Sequence, residues 1–407
     1  MKINFVVPSL DKEKFSGGVL CLLHYANGLA KIGHEVNVVP FTPSDRPEWF
    51  VEPWCFNFVH TEKNQLFKEA FYKTILFPFK LINNILSGKK LKDISNKNLI
   101  RSTTGAIFLS LSQYSSFGAS KGGAIDNLIK ILPDADITIA TDSETAYAVA
   151  LINRGRGFYF SQHYEPFFWK ERIGGVVSKR EAELSYMLGL KQIVNSPWLG
   201  RYLTSNGYCN SYQLCPNAID HNIFNGSPKA KKLENTISII SYGGREADWK
   251  GFHEMCEGMR IAKFRNPEIQ FKWKVYGKAL LPPDNKICGY EPLGFLSSKQ
   301  LAEAYRQNDV LLSASWYESF PLFPLEAMAC GLAAITTQPG TEIYAEDQET
   351  ALIVEPRNPE SIALAIERLA KNENFRFKLA TNGNLKSKEF TWRKSVDNLS
   401  KILSEAY

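Results

Sequence analysis

The sequence predicts an α/β protein built on parallel sheets and divided into at least two domains. Three stretches carry that expectation. Near the start, the apolar run Ile3-Asn-Phe-Val-Val7 is followed by Gly17-Gly18, a helical run from Val19 to Ile32 and a second apolar run, Glu35-Val-Asn-Val-Val39. Late in the chain, Val310-Leu-Leu-Ser-Ala314 and Leu332-Ala-Ala-Ile-Thr-Thr337 flank a loop and a helix. Strand, helix and strand in that order are the crossover unit of a parallel pair. Between the two patterns lies the polar stretch 225–235, with Gly226, Pro228, Lys229, Lys231 and Lys232, which reads as a linker.

The remaining elements follow the same alternation. Asp136–Ala140 reads as a strand, and Asp142-Ser143 as the cap of a helix over Glu144–Ile152. The D-x-D of Asp134 and Asp136 runs straight into that strand, so it reads as strand-entry polarity. Phe158–Gln162 and Gln192–Asn195 are further strands, and Ser196-Pro197 is a cap with proline at the first helical position. Tyr212–Cys215 ends the first half. In the second half, strands are expected at Thr236–Ser241, Phe271–Tyr276 and, briefly, Ile287–Tyr290. Helices are expected at Phe252–Phe264, at Lys299–Gln307 after the cap Ser297, at Pro359–Lys371 and from Trp392 onward.

Composition excludes several classes. Of 407 residues 44% are hydrophobic and 22% charged, as in a globular protein. The seven cysteines form no C-x-x-C pair, which argues against a disulfide framework or a zinc site and favours a reducing compartment. With no apolar span of about 20 residues and no secretory leader, the expectation is a cytoplasmic protein, peripheral at most on the inner face of a membrane. The net charge of +6 resides in one segment. Residues 68–101 hold eight Lys and Arg side chains against Glu69 and Asp93, and the balance elsewhere argues against nucleic acid as a partner. In the same segment Phe67, Phe71, Ile75, Phe79, Ile82 and Leu86 recur on one helical face, interrupted by Pro78. An apolar stripe flanked by lysines fits either an anionic membrane surface or an inserted helical pair packed on the core.

Chemistry is expected at the C-terminal ends of the strands, where helix N-termini and loop amides converge. Glu318 lies on the loop after one strand and Glu326 in the first turns of the next helix. Carboxylates there accept hydrogen bonds from sugar or ribose hydroxyls. Gly243-Gly244-Arg245 and Lys250-Gly251 follow another strand, and a guanidinium with an ammonium beside a helix start suits a diphosphate. His163, Tyr164 and Glu165 follow Phe158–Gln162; His163 suits a substrate hydroxyl, and Glu165 an acceptor contact or a base. Gly17-Gly18 lets backbone approach a ligand but is not the dinucleotide fingerprint.

Taken together, Gly17-Gly18, Gly33-His34-Glu35-Val36, Pro216-Asn217-Ala-Ile-Asp220, Gly244-Arg245 with Lys250-Gly251, and Glu318-x7-Glu326 resemble retaining nucleotide-sugar glycosyltransferases of the GT-B fold, family 4 type. Ala218 stands where that family often has glycine, and Ser319-Phe-Pro-Leu lacks the usual one. The resemblance implies two Rossmann-like, doubly wound domains facing across a cleft. An acceptor domain would span 1–220 with a basic helical insertion at about 60–130, followed by a linker at 221–235. A donor domain at 236–390 and a helix at 391–407 crossing back would complete it. It implies that Arg245 and Lys250 hold the donor diphosphate, with Gly17, Gly18 and Gly244 close by. Glu326 would take ribose hydroxyls, Glu318 the sugar, the amides of Ser319 and Phe320 the phosphate or sugar, and His163 the reacting centre. No metal or cofactor is implied. The acceptor would be a glycan or lipid-linked oligosaccharide of a cell-surface polysaccharide. Ser161-Gln-His-Tyr-Glu-Pro166 further resembles a segment of rhamnosyltransferases, which implies L-rhamnose from dTDP-rhamnose. Two rivals share these residues: a nucleotide-sugar epimerase of the same architecture, and a non-catalytic, membrane-associated nucleotide-sugar-binding protein.

Overall fold

The computed structural model describes residues 1–13, 15–59, 121–169, 173–229, 235–243, 247–277 and 289–405. The basic segment 67–101, and the membrane contact read from it, lie outside the described residues. So does most of the insertion expected at 60–130.

In chain order the first elements are β1 (Lys2–Val7), α1 (Gly17–Lys31), β2 (Glu35–Pro40), β3 (Asn57–Phe58), α2 (Lys121–Ile131), β4 (Ile137–Ala140), α3 (Ser143–Ile152) and β5 (Arg156–Ser161). They continue with α4 (Ile173–Ser185), β6 (Lys191–Val194), α5 (Pro197–Ser205) and β7 (Tyr212–Leu214). These strands form a sheet in the order β3-β2-β1-β4-β5-β6-β7. β1 pairs in parallel with both β2 and β4, so the chain runs outward from β1 and returns on its other side.

The second series is β8 (Thr236–Tyr242), α6 (Phe252–Arg265), β9 (Gln270–Tyr276), β10 (Glu291–Gly294), α7 (Ser298–Gln307), β11 (Val310–Leu312), α8 (Leu322–Ala329), β12 (Ala333–Thr336) and β13 (Leu352–Ile353). It closes with α9 (Pro359–Lys371), α10 (Glu373–Ser387) and α11 (Trp392–Glu405). The sheet order is β10-β9-β8-β11-β12-β13, again with the first strand between an outward run and a return. Alternation along its strands splits the core in two. Ile237, Ile239, Val310 and Leu312 pack with Met255 and Met259 of α6 and Ile362 and Ile366 of α9. Ile240 and Leu311 face the other way, onto Leu301 and Tyr305 of α7 and Leu325 and Met328 of α8. Both sheet faces are covered, which is why these strands read as continuous apolar runs rather than alternating ones.

The described residues fall into two compact units: Met1–Phe160 with Glu165–Lys191, and Ser161–Tyr164 with Gln192–Tyr407. Within the second, Asn398 Nδ2 of α11 donates to Leu214 O at 2.9 Å, and Ile219 bridges to Thr391.

Capping follows the sequence closely. Asp142 caps α3 through Thr145 N, Ser196 caps α5 through Leu199 N, and Ser297 forms a capping box with Gln300. Of the short strand expected at Ile287–Tyr290 only Gly289 and Tyr290 are described, and they lead into β10, where a register shift between Pro292 and Gly294 accommodates a proline on an edge strand. The helix α10 was not legible at all, because the face it buries is Leu379, Ala380, Gly383, Asn384 and Ser387, too small and polar to read as a stripe. No described helix is long and apolar enough to cross a membrane.

Candidate functional site

The site grows from the point where the second sheet reverses direction. β8 and β11 are neighbours there although α6, β9, β10 and α7 separate them in sequence. Loops leaving two such strands on the same edge diverge and open a crevice.

After β8 the chain passes Gly243; Gly244 and Arg245 lie outside the described residues. It resumes at Ala247 and makes a 3-10 turn, Asp248–Lys250, which closes on Gly251 at φ 71°. A Cβ there would stand 2.0 Å from Ala314 O, so only glycine lets this turn lie against the end of β11. The loop after β11 is fastened to that turn. Trp316 N donates to Trp249 O at 2.8 Å, Trp316 Nε1 donates to Glu254 Oε1 at 3.0 Å, and Thr337 Oγ1 holds Ser315 O at 2.6 Å. Gly340 (φ 82°) backs the loop, and a Cβ on it would sit 2.4 Å from Glu318 O.

This framework brings Lys250 to Glu318. Lys250 Nζ donates to Glu318 Oε1 in an ion pair whose side chains are only 14% and 13% exposed, and Ser315 Oγ donates to the same oxygen at 3.3 Å. The ammonium also lies 4.2 Å from the centre of the Trp249 ring. Trp249 stacks on Tyr317, centroids 5.4 Å apart with planes 11° from parallel.

His163 belongs to the same unit and packs against both rings, 5.7 Å from Trp249 and 6.2 Å from Tyr317. Its Nδ1 lies 3.1 Å from Tyr164 O. A carbonyl only accepts, so Nδ1 carries the proton and a neutral ring presents Nε2 as acceptor. Burial holds the ring below its usual pKa; the Glu318 charge pulls it upward and Lys250 pushes it down. At neutral pH the imidazole is therefore a base.

Glu326 sits in α8 and is 8% exposed. Burial raises its carboxyl from 4.5 to about 8, and Oε2 has no hydrogen-bond partner among the described residues. A buried carboxyl oxygen in that state is a site for donors that come from elsewhere. Phe323, one turn earlier, packs on Tyr242 and Tyr276 at the ends of β8 and β9.

Ser319 and Phe320 are both buried. Phe320 packs its ring on Tyr344 and Phe390, while Ser319 Oγ donates to Asn195 Oδ1. Their backbone N–H groups engage no described acceptor.

The acceptor residues are occupied differently. Tyr164 is 3% exposed, packs on Tyr202 and donates its hydroxyl to Tyr208 at 2.9 Å. Glu165, in the first unit, accepts from Ser143 N at the start of α3 and from Tyr159 OH at 3.2 Å. Burial raises the carboxyls of both Glu165 and Asp142, and the Asp142 charge raises Glu165 further. Gly17 and Gly18 open α1, whose first turn has no side-chain cap from Ser16.

Sequence reasoning missed Asn195, the Trp249–Tyr317 stack and Gly340. Asn195 had a usable signal: it directly follows a parallel strand, within one residue of the strand-end position that singled out His163. Among the described residues, no group of three His, Cys, Asp or Glu side chains is placed to hold a metal ion.

Comparison with known proteins bears on the fold. Residues 286–386 match the family "Glycosyl transferases group 1". The chain is 26% identical over 285 residues to the O-antigen biosynthesis protein RfbC of Myxococcus xanthus, covering 68% of this chain and 21% of that protein. It is 27% identical over 236 residues to the uncharacterized glycosyltransferase MJ1178 of Methanocaldococcus jannaschii, covering 53% and 65%. Thus the chain spans less than two thirds of either relative. Among solved structures, Anabaena HepE in complex with UDP-glucose superposes at a TM-score of 0.66 with 15% identity, over 100% of both chains. The fold is GT-B, two Rossmann-like parallel-sheet domains.

Proposed function

We propose that this protein is a retaining glycosyltransferase that moves a sugar from a nucleoside diphosphate to a glycan or lipid-linked acceptor in surface-polysaccharide synthesis. The observation that carries this reading is the Lys250–Glu318 pair at the reversal point of the second sheet, with Glu326 on the helix that follows. The relatives' names support the same class of chemistry, since one acts in O-antigen biosynthesis and one structure holds UDP-glucose.

The roles follow from the chemistry of each group. Lys250, with Arg245, takes the diphosphate and stabilises its growing charge as the glycosidic bond breaks. Glu318 accepts from sugar hydroxyls, and Glu326 accepts from the ribose. The amides of Ser319 and Phe320 donate to phosphate oxygens. His163 accepts a hydrogen bond from a sugar hydroxyl through Nε2. The acceptor oxygen attacks the anomeric carbon on the face the diphosphate leaves. Its proton passes to a departing phosphate oxygen, which gives a glycoside and a nucleoside diphosphate. The donor assigned by the Ser161–Pro166 resemblance is dTDP-L-rhamnose.

The test is turnover with a panel of nucleotide sugars, with and without oligosaccharide acceptors, and NMR assignment of the product's anomeric configuration. Transfer with retention supports the reading. Epimerised donor without acceptor, or an inverted linkage, overturns it.

A further inference from the structure

His163 and Glu318 reach the site from distant parts of the chain, and a chain of buried amides joins the residues beside them. Ser319, next to Glu318, donates its hydroxyl to Asn195 Oδ1. Asn195 Nδ2 donates to the carbonyl oxygen of Gln162, next to His163, at 3.0 Å. Asn217 Nδ2 donates to Gln162 Oε1 at 3.0 Å and fixes that side chain in turn. Asn195 and Ser319 are each 1% exposed, and Asn217 is 3% exposed. Asn195 stands just past β6, a rigid strand end, so one carboxamide uses its acceptor on one functional loop and its donor on the other.

We propose that Asn195 is a positioning residue that holds the Glu318 loop and His163 in register, acting through Ser319 and Gln162 without touching substrate. Three observations support this. A carboxamide can accept from a hydroxyl through its oxygen and donate to a carbonyl through its nitrogen at once. The serine at 319 supplies a buried hydroxyl, 1% exposed, whose described acceptor is Asn195 Oδ1. Finally, bonds made in a buried site cannot be replaced by water without opening it, so losing either one frees the loop.

The inference rests on the proposed transfer reaction, and the experiment separates the two. Asn195→Ala, Asn195→Asp, Ser319→Ala and the double variant Asn195→Ala/Ser319→Ala are compared with the intact chain. Melting temperature, nucleoside diphosphate affinity, kcat and the NMR titration of His163 are measured for each. Misplacing a reacting group by about 1 Å costs on the order of 100-fold in rate, so kcat is expected to fall by that order in Asn195→Ala. Nucleoside diphosphate affinity should fall less than kcat: the Ser319 and Phe320 amides move with the loop, whereas Lys250 and Glu326 lie on other elements. The double variant should lose no more than the worse single one. His163 should titrate closer to its ordinary value, as water enters beside it. Asn195→Asp keeps an acceptor for Ser319 but loses the donor to Gln162, and should fall between the extremes.

Equal losses of kcat and affinity, additive single effects, or an unmoved His163 titration would each overturn the proposal and leave Asn195 a residue of the fold alone. Should the intact chain transfer no sugar, the functional reading fails instead. The His163 titration still decides the positioning claim, since it needs no turnover.

Discussion

Lys250 and Glu318 form an ion pair across 68 residues of sequence, each nearly enclosed by the loop of the other. The pair binds the turn after β8 to the loop after β11 and also presets the charge a diphosphate sugar would meet. Such a pair resists removal of one partner, since the other charge is left desolvated.

Removing either charge should therefore slow transfer sharply and also lower the melting temperature, because the remaining charge stays buried without its partner. Lys250→Ala and Glu318→Ala should each lower kcat/KM by about 100-fold or more. The double variant should lose little beyond the worse single one, because the two groups act as a unit. Steady-state kinetics beside thermal melts check this. Variants that melt like the intact chain and turn over normally would remove both residues from the site.

Glu326 makes nucleotide binding depend on pH. Its carboxyl stays protonated up to about 8 because it is buried, whereas the ionised form, in which both oxygens accept, is the stronger acceptor for ribose hydroxyls. Affinity for the bound nucleoside diphosphate should rise by at most about tenfold per pH unit below that value and level off above it. Calorimetry between pH 6 and 9 should also show a proton released on binding. Glu326→Gln should flatten the profile; an unchanged slope in that variant assigns the titration to another group.

The same group should weaken the fold as pH rises. A carboxyl raised from 4.5 unfolded to about 8 folded contributes stability that is complete below the lower value and lost as pH rises through the upper one. Over that window the loss is about 1.4 kcal/mol per pH unit. Glu326→Gln should melt higher than the intact chain at pH 8 and converge with it near pH 4. The difference between the two melting curves across pH is the measurement, and a constant difference would contradict the burial argument.

Gly340 should tolerate no side chain. It combines φ 82° with backbone oxygens of Glu318 and Ser319 at 2.4 and 2.5 Å from where a Cβ would be. Gly340→Ala should cost about 1–3 kcal/mol in stability. It should also push the Glu318 loop out of place, and transfer should fall in the same variant. Urea unfolding with kinetics on one preparation tests both, and a silent substitution would show that the loop can yield.

What the sequence by itself determined is local. The apolar runs at Ile3–Val7 and Val310–Leu312, the caps Asp142, Ser196 and Ser297, and Glu326 on a helix just past a strand all follow from short-range rules of propensity, capping and period. The tertiary structure decided three things. It set β11 beside β8 and so put Lys250 against Glu318, a pairing between strands far apart that no local pattern encodes. It enclosed Glu326 and His163, and with them their ionisation, because a pKa follows the surroundings rather than the residue type. It also joined Ser319 to Asn195 and Asn195 to Gln162, since a hydrogen bond forms only where folding brings a donor to an acceptor and keeps water out.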